Sequence, residues 1–268
     1  MRGSSADALA TLTEDVVARA EKGDPGRIAD DLFAVANLLR QAPTLRRVAT
    51  DVSVPAQAKA DVLGSLVAEH IDATSMDLVG TAVGMRWSAT RDLADALDHL
   101  AVVAVVKDAE RAGQADALED ELFEFGRVVE DNPELRDALS DRTRSVEDKR
   151  ELVRTLLQGK AVPSTVRLVE QGLTGTFRTV GLALEAFRKI TAEHRNRLVA
   201  VVRVAERLDD AEVRRLESAL STQYGRPVHV NVRRDPHVIG GVKVEIGDDV
   251  IDGTVSARLD EARRRLAG

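Results

Sequence analysis

The residues able to do chemistry in this 268-residue chain crowd into one run near its end, HVIGGVKVEIGDDVIDGTVSARLDEARRRL (237–266). Three carboxylates, Asp248, Asp249 and Asp252, stand there beside paired glycines, the residue types that hold divalent cations or cradle phosphates. The spacing defeats both uses. A calcium loop needs alternating oxygen ligands and a distal bidentate Glu, and GDDVIDG offers neither. A phosphate cradle sets its glycines before a helix N-terminus, whereas Gly240 and Gly241 precede an alternating Val-rich run. Gly247-Asp248-Asp249 reads as a tight turn and Asp252-Gly253 as the lead into a last helix. Arg263, Arg264 and Arg265 suit the negative end of that helix. Elsewhere, Gly159-Lys160 is followed by Ala161 and lacks the upstream glycine of a phosphate-binding loop. No GxSxG, HExxH or paired-His spacing occurs, and His70, His99, His194, His229 and His237 are scattered. No catalytic residue, cofactor or metal site is expected, and the chain reads as a non-enzyme.

Composition narrows the remaining classes. Hydrophobic residues make up 44% of the chain but aromatics only 3%, so cores must be built from Leu, Val and Ala, as in helical bundles. The chain has no cysteine, which excludes disulfides and thiolate metal sites. A net charge of −7 argues against nucleic-acid binding driven by overall electrostatics. The most apolar run, LAVVAVV (100–106), is far too short to span a bilayer. The start, MRGSSADALATL, lacks the basic-then-apolar build of a secretory signal.

The elements that must position any site follow from an internal repeat. Residues 30–67 align without gaps on 120–157. Identities fall at Asp30/Asp120, Leu32/Leu122, Phe33/Phe123, Pro43/Pro133, Leu45/Leu135, Arg46/Arg136, Asp51/Asp141, Lys59/Lys149 and Leu66/Leu156. That is nine of 38 positions, against roughly three from ordinary composition. Weaker similarity continues through Leu78/Leu168, Val79/Val169 and Trp87/Phe177. In the first copy Leu32, Val35, Leu38 and Leu39 form a helical stripe that stops at Pro43; in the second, Leu122, Phe125, Val128 and Val129 form it and Pro133 stops it. Phe33 and Phe123 are expected in the core, and Ser53 and Ser145 as helix caps. Between the copies, RDLADALDHLAVVAVVKDAERA (91–112) carries no Gly or Pro and reads as one helix that closes the first bundle and opens the second.

From about Arg197 the period changes. RLVAVVRVA (197–205) reads as a strand. Asp209 is the expected N-cap of a following helix with Glu212 at the capping-box position, Leu208 and Val213 as its hydrophobic staple and Gly225 as its end. VHVNV (228–232) is a second strand. Val242, Val244 and Ile246 line one face of a third, with Lys243 and Glu245 on the other. A final helix carries Val255, Leu259, Ala262 and Leu266 on one stripe. The predicted fold is mostly α: two tandem homologous helical bundles sharing a long helix (1–90 and 91–192), then a small α+β domain (193–268).

The IGG pair, Val-rich strand, G-D turn, V-I-D-G-T run and Arg-rich helix resemble the C-terminal signature of the ATP synthase delta subunit family, called the oligomycin-sensitivity-conferring protein in mitochondria. The residues carrying it are Gly240, Gly241, Gly247, Asp252, Gly253 and Arg258. DNPELRDALSDRTRSVEDKRELVRTLL (131–157) and AEHRNRLVAVVRVAERLDDAEVRRLESAL (192–220) extend the resemblance over about 91–268. The departure is length: about 90 further residues precede it, as in actinobacterial members with a second helical copy. The resemblance implies a peripheral-stalk subunit at the cytoplasmic face of the cell membrane, resisting rotor torque. It would join N-terminal helices of alpha subunits to the C-terminal helix of a separate b subunit, with no nucleic acid and no membrane insertion. Partner helices would lie in a groove walled by 91–112 and 166–173, at Leu97, Ala101, Val106, Val169 and Leu173. The alternative is a soluble helical adaptor of another pathway with two peptide-binding bundles.

Overall fold

The repeat at an offset of 90 is a repeat of helices. In the computed structural model, described everywhere except residues 142, 175–176, 195–197, 207, 226–227, 236–237, 239, 247–248 and 258–268, the first copy runs α1 (Ser4–Lys22), α2 (Pro25–Gln41), α3 (Pro43–Thr50), α4 (Ala56–Val67), α5 (Ala73–Gly84) and α6 (Asp92–Arg111). The second reuses α6 as its first helix and continues α7 (Ala115–Asp131), α8 (Pro133–Ser140), α9 (Val146–Leu157), α10 (Pro163–Gly172) and α11 (Val180–His194). Pro43 and Pro133 each open a short helix, where a missing N–H costs nothing.

Local chemistry repeats with the helices. Asp51 Oδ1 accepts from the Ser53 amide and hydroxyl at 2.8 and 2.7 Å, and Asp141 Oδ1 accepts from Thr143 at the same two distances. Both carboxyls lie below the usual carboxylate range because those side-chain and backbone donors favour the anion. Buried Asp31 accepts from the Asp72 amide at 2.8 Å, and Glu121 accepts from the Val162 amide at 2.9 Å, each tying the second helix of its copy to the start of the fifth. Ser145 caps α9 by accepting from Asp148 N at 3.0 Å. Ser53 is not a cap: α4 starts after Pro55, three residues on, and the Ser53 hydroxyl donates to Asp51 instead.

The chain folds into two compact units, Met1–Thr191 and Ala192–Gly268. One continuous core runs through the first, from Ala8 to Phe187, so residue 90 marks a repeat boundary and not a break between cores. The reason is α6. Its apolar positions from Leu93 to Ala109 are all 1% exposed or less, because it packs on α1 and α2 with one side and on α7 and α10 with another. A helix apolar all round must be enclosed all round. Trp87 is buried and its indole donates to the Ala82 carbonyl at 2.9 Å. Phe177, its counterpart, meets Phe187 edge-on at 5.7 Å. Two expectations fail on α7: Phe123 is 39% and Val128 46% exposed, whereas Phe33 is 5% exposed.

The second unit is a four-stranded sheet in the order β2-β1-β3-β4, with β1 (Leu198–Val204), β2 (Val228–Arg234), β3 (Val242–Ile246) and β4 (Asp249–Asp252). The helix α12 (Asp210–Tyr224) links β1 to β2, which pair in parallel, while β1–β3 and β3–β4 are antiparallel. The capping box forms as read: Glu212 N donates to Asp209 at 2.7 Å and Asp209 N to Glu212 at 2.8 Å. Gly225 ends the helix in the left-handed region at φ 64°. Val202, Val204, Val228, Val230, Val244, Ile246 and Leu220 form the core, with Leu208, Val213 and Leu216 against it. On the other face Arg203 and Lys243 each lie 3.3 Å from Glu245. β4 is an addition to the sequence reading, since a short edge strand between aspartates looks like a turn until β3 pairs with it. Val255, expected on a core stripe, is 44% exposed; Leu259, Ala262 and Leu266 lie outside the described residues.

Candidate functional site

The C-terminal signature is a crossing of two backbone segments. Gly241 has φ 80°, and a Cβ there would collide with the Gly253 carbonyl and stand 3.0 Å from Thr254 Cα. A Cβ on Gly253 would come within 3.1 Å of the Val242 carbonyl, and one on Gly240 within 3.3 Å of Val255 Cγ2. The crossing is sewn by Gly253 N to Val242 O at 2.9 Å and Val255 N to Gly240 O at 3.0 Å. Glycine is needed because backbone meets backbone and because φ is positive. Asp252 Oδ1 accepts from the Thr254 hydroxyl at 2.7 Å and its amide at 3.0 Å, and Thr254 Oγ1 accepts from Ala257 N at 3.3 Å, starting the last helix. Those donors, the hydroxyl first, hold the Asp252 carboxyl below the usual range. Its anion is satisfied by its own turn and serves architecture. Among the described residues no group of three His, Cys, Asp or Glu could hold a metal. Gly247 and Arg258 lie outside the described residues.

The groove expected between α6 and α10 is closed. Leu97, Ala101, Val106 and Val169 are 0% exposed and Leu173 is 5% exposed, so all five are core. The physical reason is the extra copy, whose α2 is tied to both expected walls. Arg40 of α2 lies 3.1 Å from Asp98 of α6, and Gln171 of α10 donates to the other Asp98 oxygen at 3.0 Å. At the opposite end Arg167 of α10 bridges Asp30 of α2 at 2.9 Å and Asp108 of α6 at 3.2 Å. Burial pushes the Asp98 carboxyl above its ordinary range, with Arg40 and Gln171 opposing. Asp30 is raised by desolvation as well, against Arg167. Sequence reading missed both clusters, whose members lie far apart along the chain. Its one available signal was the row Asp92, Asp95, Asp98 on the N-terminal end of an otherwise apolar helix.

Arg111 completes the joint, its guanidinium donating to the Gly23 carbonyl at 2.7 Å and to the Ala20 carbonyl. Cations at a helix C-terminus satisfy carbonyls that have no partner within the helix. The end of α1 is thereby fixed to the end of α6.

Residues 102–266 match the family described as the ATP synthase delta (OSCP) subunit. Curated relatives extend the similarity over the added copy. A protein of a Nocardioides species called ATP synthase subunit delta is 55% identical over 100% of this chain and 98% of its own length. Proteins of the same description from Kineococcus radiotolerans and Streptomyces avermitilis are 47% and 45% identical, over 97% and 99% of this chain and 95% and 98% of theirs.

Proposed function

The chain belongs to the ATP synthase delta (OSCP) subunit family, and from that premise we propose that it joins the alpha subunits of the catalytic head to a membrane-anchored b subunit. It is a non-catalytic subunit, a component of the peripheral stalk. In the proposed arrangement the helical unit grips N-terminal helices of alpha, and the C-terminal unit holds the C-terminal helix of b at the cytoplasmic face of the cell membrane. Among the described residues no helix is long and apolar enough to cross a membrane, so attachment would come through b. The observation that carries the reading is the full-length similarity to delta subunits, which spans the extra copy and leaves an adaptor of another pathway without support.

A stator must transmit torque without yielding, and the helical unit is built for that. One core through α6, closed at both ends by the Arg40–Asp98–Gln171 and Arg167–Asp30–Asp108 clusters, makes the two copies deform together. Leu97, Ala101, Val106, Val169 and Leu173 then work as framework behind a gripping surface, and the first copy as a brace. Co-purification of the full-length chain with alpha and b subunits tests the assignment. Binding to the N-terminal peptide of alpha and the C-terminal peptide of b is expected; a folded chain that bound neither would sink it.

A further inference from the structure

The two copies differ in how their second helix is covered. Along α2 the stripe Gly26, Ala29, Phe33 and Ala36 is buried, and α2 and α6 run side by side with backbones within 8 Å along their length. Ninety residues on, the stripe reads Asp116, Glu119, Phe123 and Gly126, and the backbones of α7 and α11 scarcely come that close. What opens between them is a groove of about 360 Å³. Leu122, Val129 and Leu184 line it deeply, while Phe123 and Leu182 stand on it 39% and 48% exposed. Gly126 widens it: a Cβ there would meet nothing within 4 Å.

The groove has a charged end. Arg127 and Arg136 line it together with Thr179, Val180 and Gly181 at the start of α11, whose helix dipole adds positive potential. Toward its other end Arg188 lies over the Phe123 ring, 4.5 Å from the centroid. The first copy shows what chemistry fits the corresponding place. There α6 lies along α2 and brings Asp95 and Asp98 to Arg40 at the end of α2, at 3.4 and 3.1 Å. An apolar helix with carboxylates at one end is thus the ligand this architecture already accepts.

We propose that the α7–α11 groove docks an amphipathic helix of another protein chain, one with apolar side chains at helical spacing and acidic residues beside them. The volume takes a few side chains, so such a helix would lie on the groove and insert its apolar residues, with its carboxylates against Arg127 and Arg136. This inference does not rest on which subunits the stalk joins, so failure of the alpha and b assays leaves it standing.

The test uses the full chain and a labelled synthetic helix with leucines at i, i+4, i+7 and i+11 flanked by glutamates, beside a twin carrying lysines. The glutamate probe should bind saturably and the lysine twin about tenfold more weakly, a difference of the size given by a pair of lost charge contacts. Gly126→Leu fills open space with a better helix former; it should weaken the glutamate probe by about tenfold or more without lowering the Tm. Arg127→Glu should narrow the preference between the probes. Equal binding of the two probes, indifference to Gly126→Leu, or no saturable binding would each overturn the proposal. So would self-association of the chain that Gly126→Leu abolishes, because the occupant would then be a second copy.

Discussion

Phe33 and Phe123 hold the same place in two copies of one helical plan, and only the first is enclosed. The copies share loop chemistry at Asp51 and Asp141, buried lysines at Lys59 and Lys149, and carboxylate ties at Asp31 and Glu121. They part where their last helix meets their second. In the first copy small residues, Gly26, Ala29 and Ala36, let α6 approach α2, and Arg40 meets Asp98. In the second, the positions of Arg40 and Asp98 carry Glu130 and Arg188, and a groove separates α7 from α11. Duplication therefore preserved the connections, which are local, and released a helix–helix contact, which depends on paired changes in distant residues.

The largest test of this comparison removes residues 1–90. The second copy would keep its own helices but expose the side of α6 that α1 and α2 cover. Burying each large aliphatic side chain is worth about 1.5–3 kcal/mol, so residues 91–268 should lose cooperative unfolding of the helical part and self-associate; a monomeric, sharply melting fragment would show two independent bundles. Next in size, Phe33→Ala should cost about 3–5 kcal/mol in urea unfolding, whereas Phe123→Ala should cost about 1 kcal/mol, chiefly its contact with Arg188. Equal costs would mean that the groove is closed in solution.

A third test reads pH. The folded-state pKa of Asp98 is raised by burial, so the native state holds this proton more tightly than the unfolded chain. Its contribution is fully present below the unfolded value, about 3.9, and is lost as pH rises through the folded one. The stability of the parent relative to Asp98→Asn should therefore fall as pH rises from about 4, and a flat difference would remove the burial argument. Smallest are two glycines of the second copy. Gly126→Ala, in open space, should stabilise by about 0.5–1 kcal/mol. Gly172→Ala should destabilise by about 1 kcal/mol, since its Cβ would stand 3.2 Å from that of Ala183.

Much of this was legible in residue order. The 90-residue offset placed the helices of the second copy, and the unbroken apolar run of α6 announced a helix enclosed on every side. Asp209 and Glu212 specified their capping box, and alternation placed Val242, Val244 and Ile246 in the core. The glycines at 240, 241 and 253 could be seen as special, though that they keep two backbones apart required β3 and the last turn to be placed together. The groove expected on α6 and α10 failed because a periodic stripe tells which face is apolar and not what covers it.

The sequence by itself determined the helices, their repetition, the strands and the absence of catalytic motifs, because these rest on spacing and local hydrogen bonding. Only the tertiary structure decided that α2 seals the face of α6 and α10, that β1 and β2 run parallel, and that Phe123 borders an open groove. Those outcomes depend on which distant side chains meet, as Arg40, Asp98 and Gln171 do, and such meetings are set by the packing of whole helices.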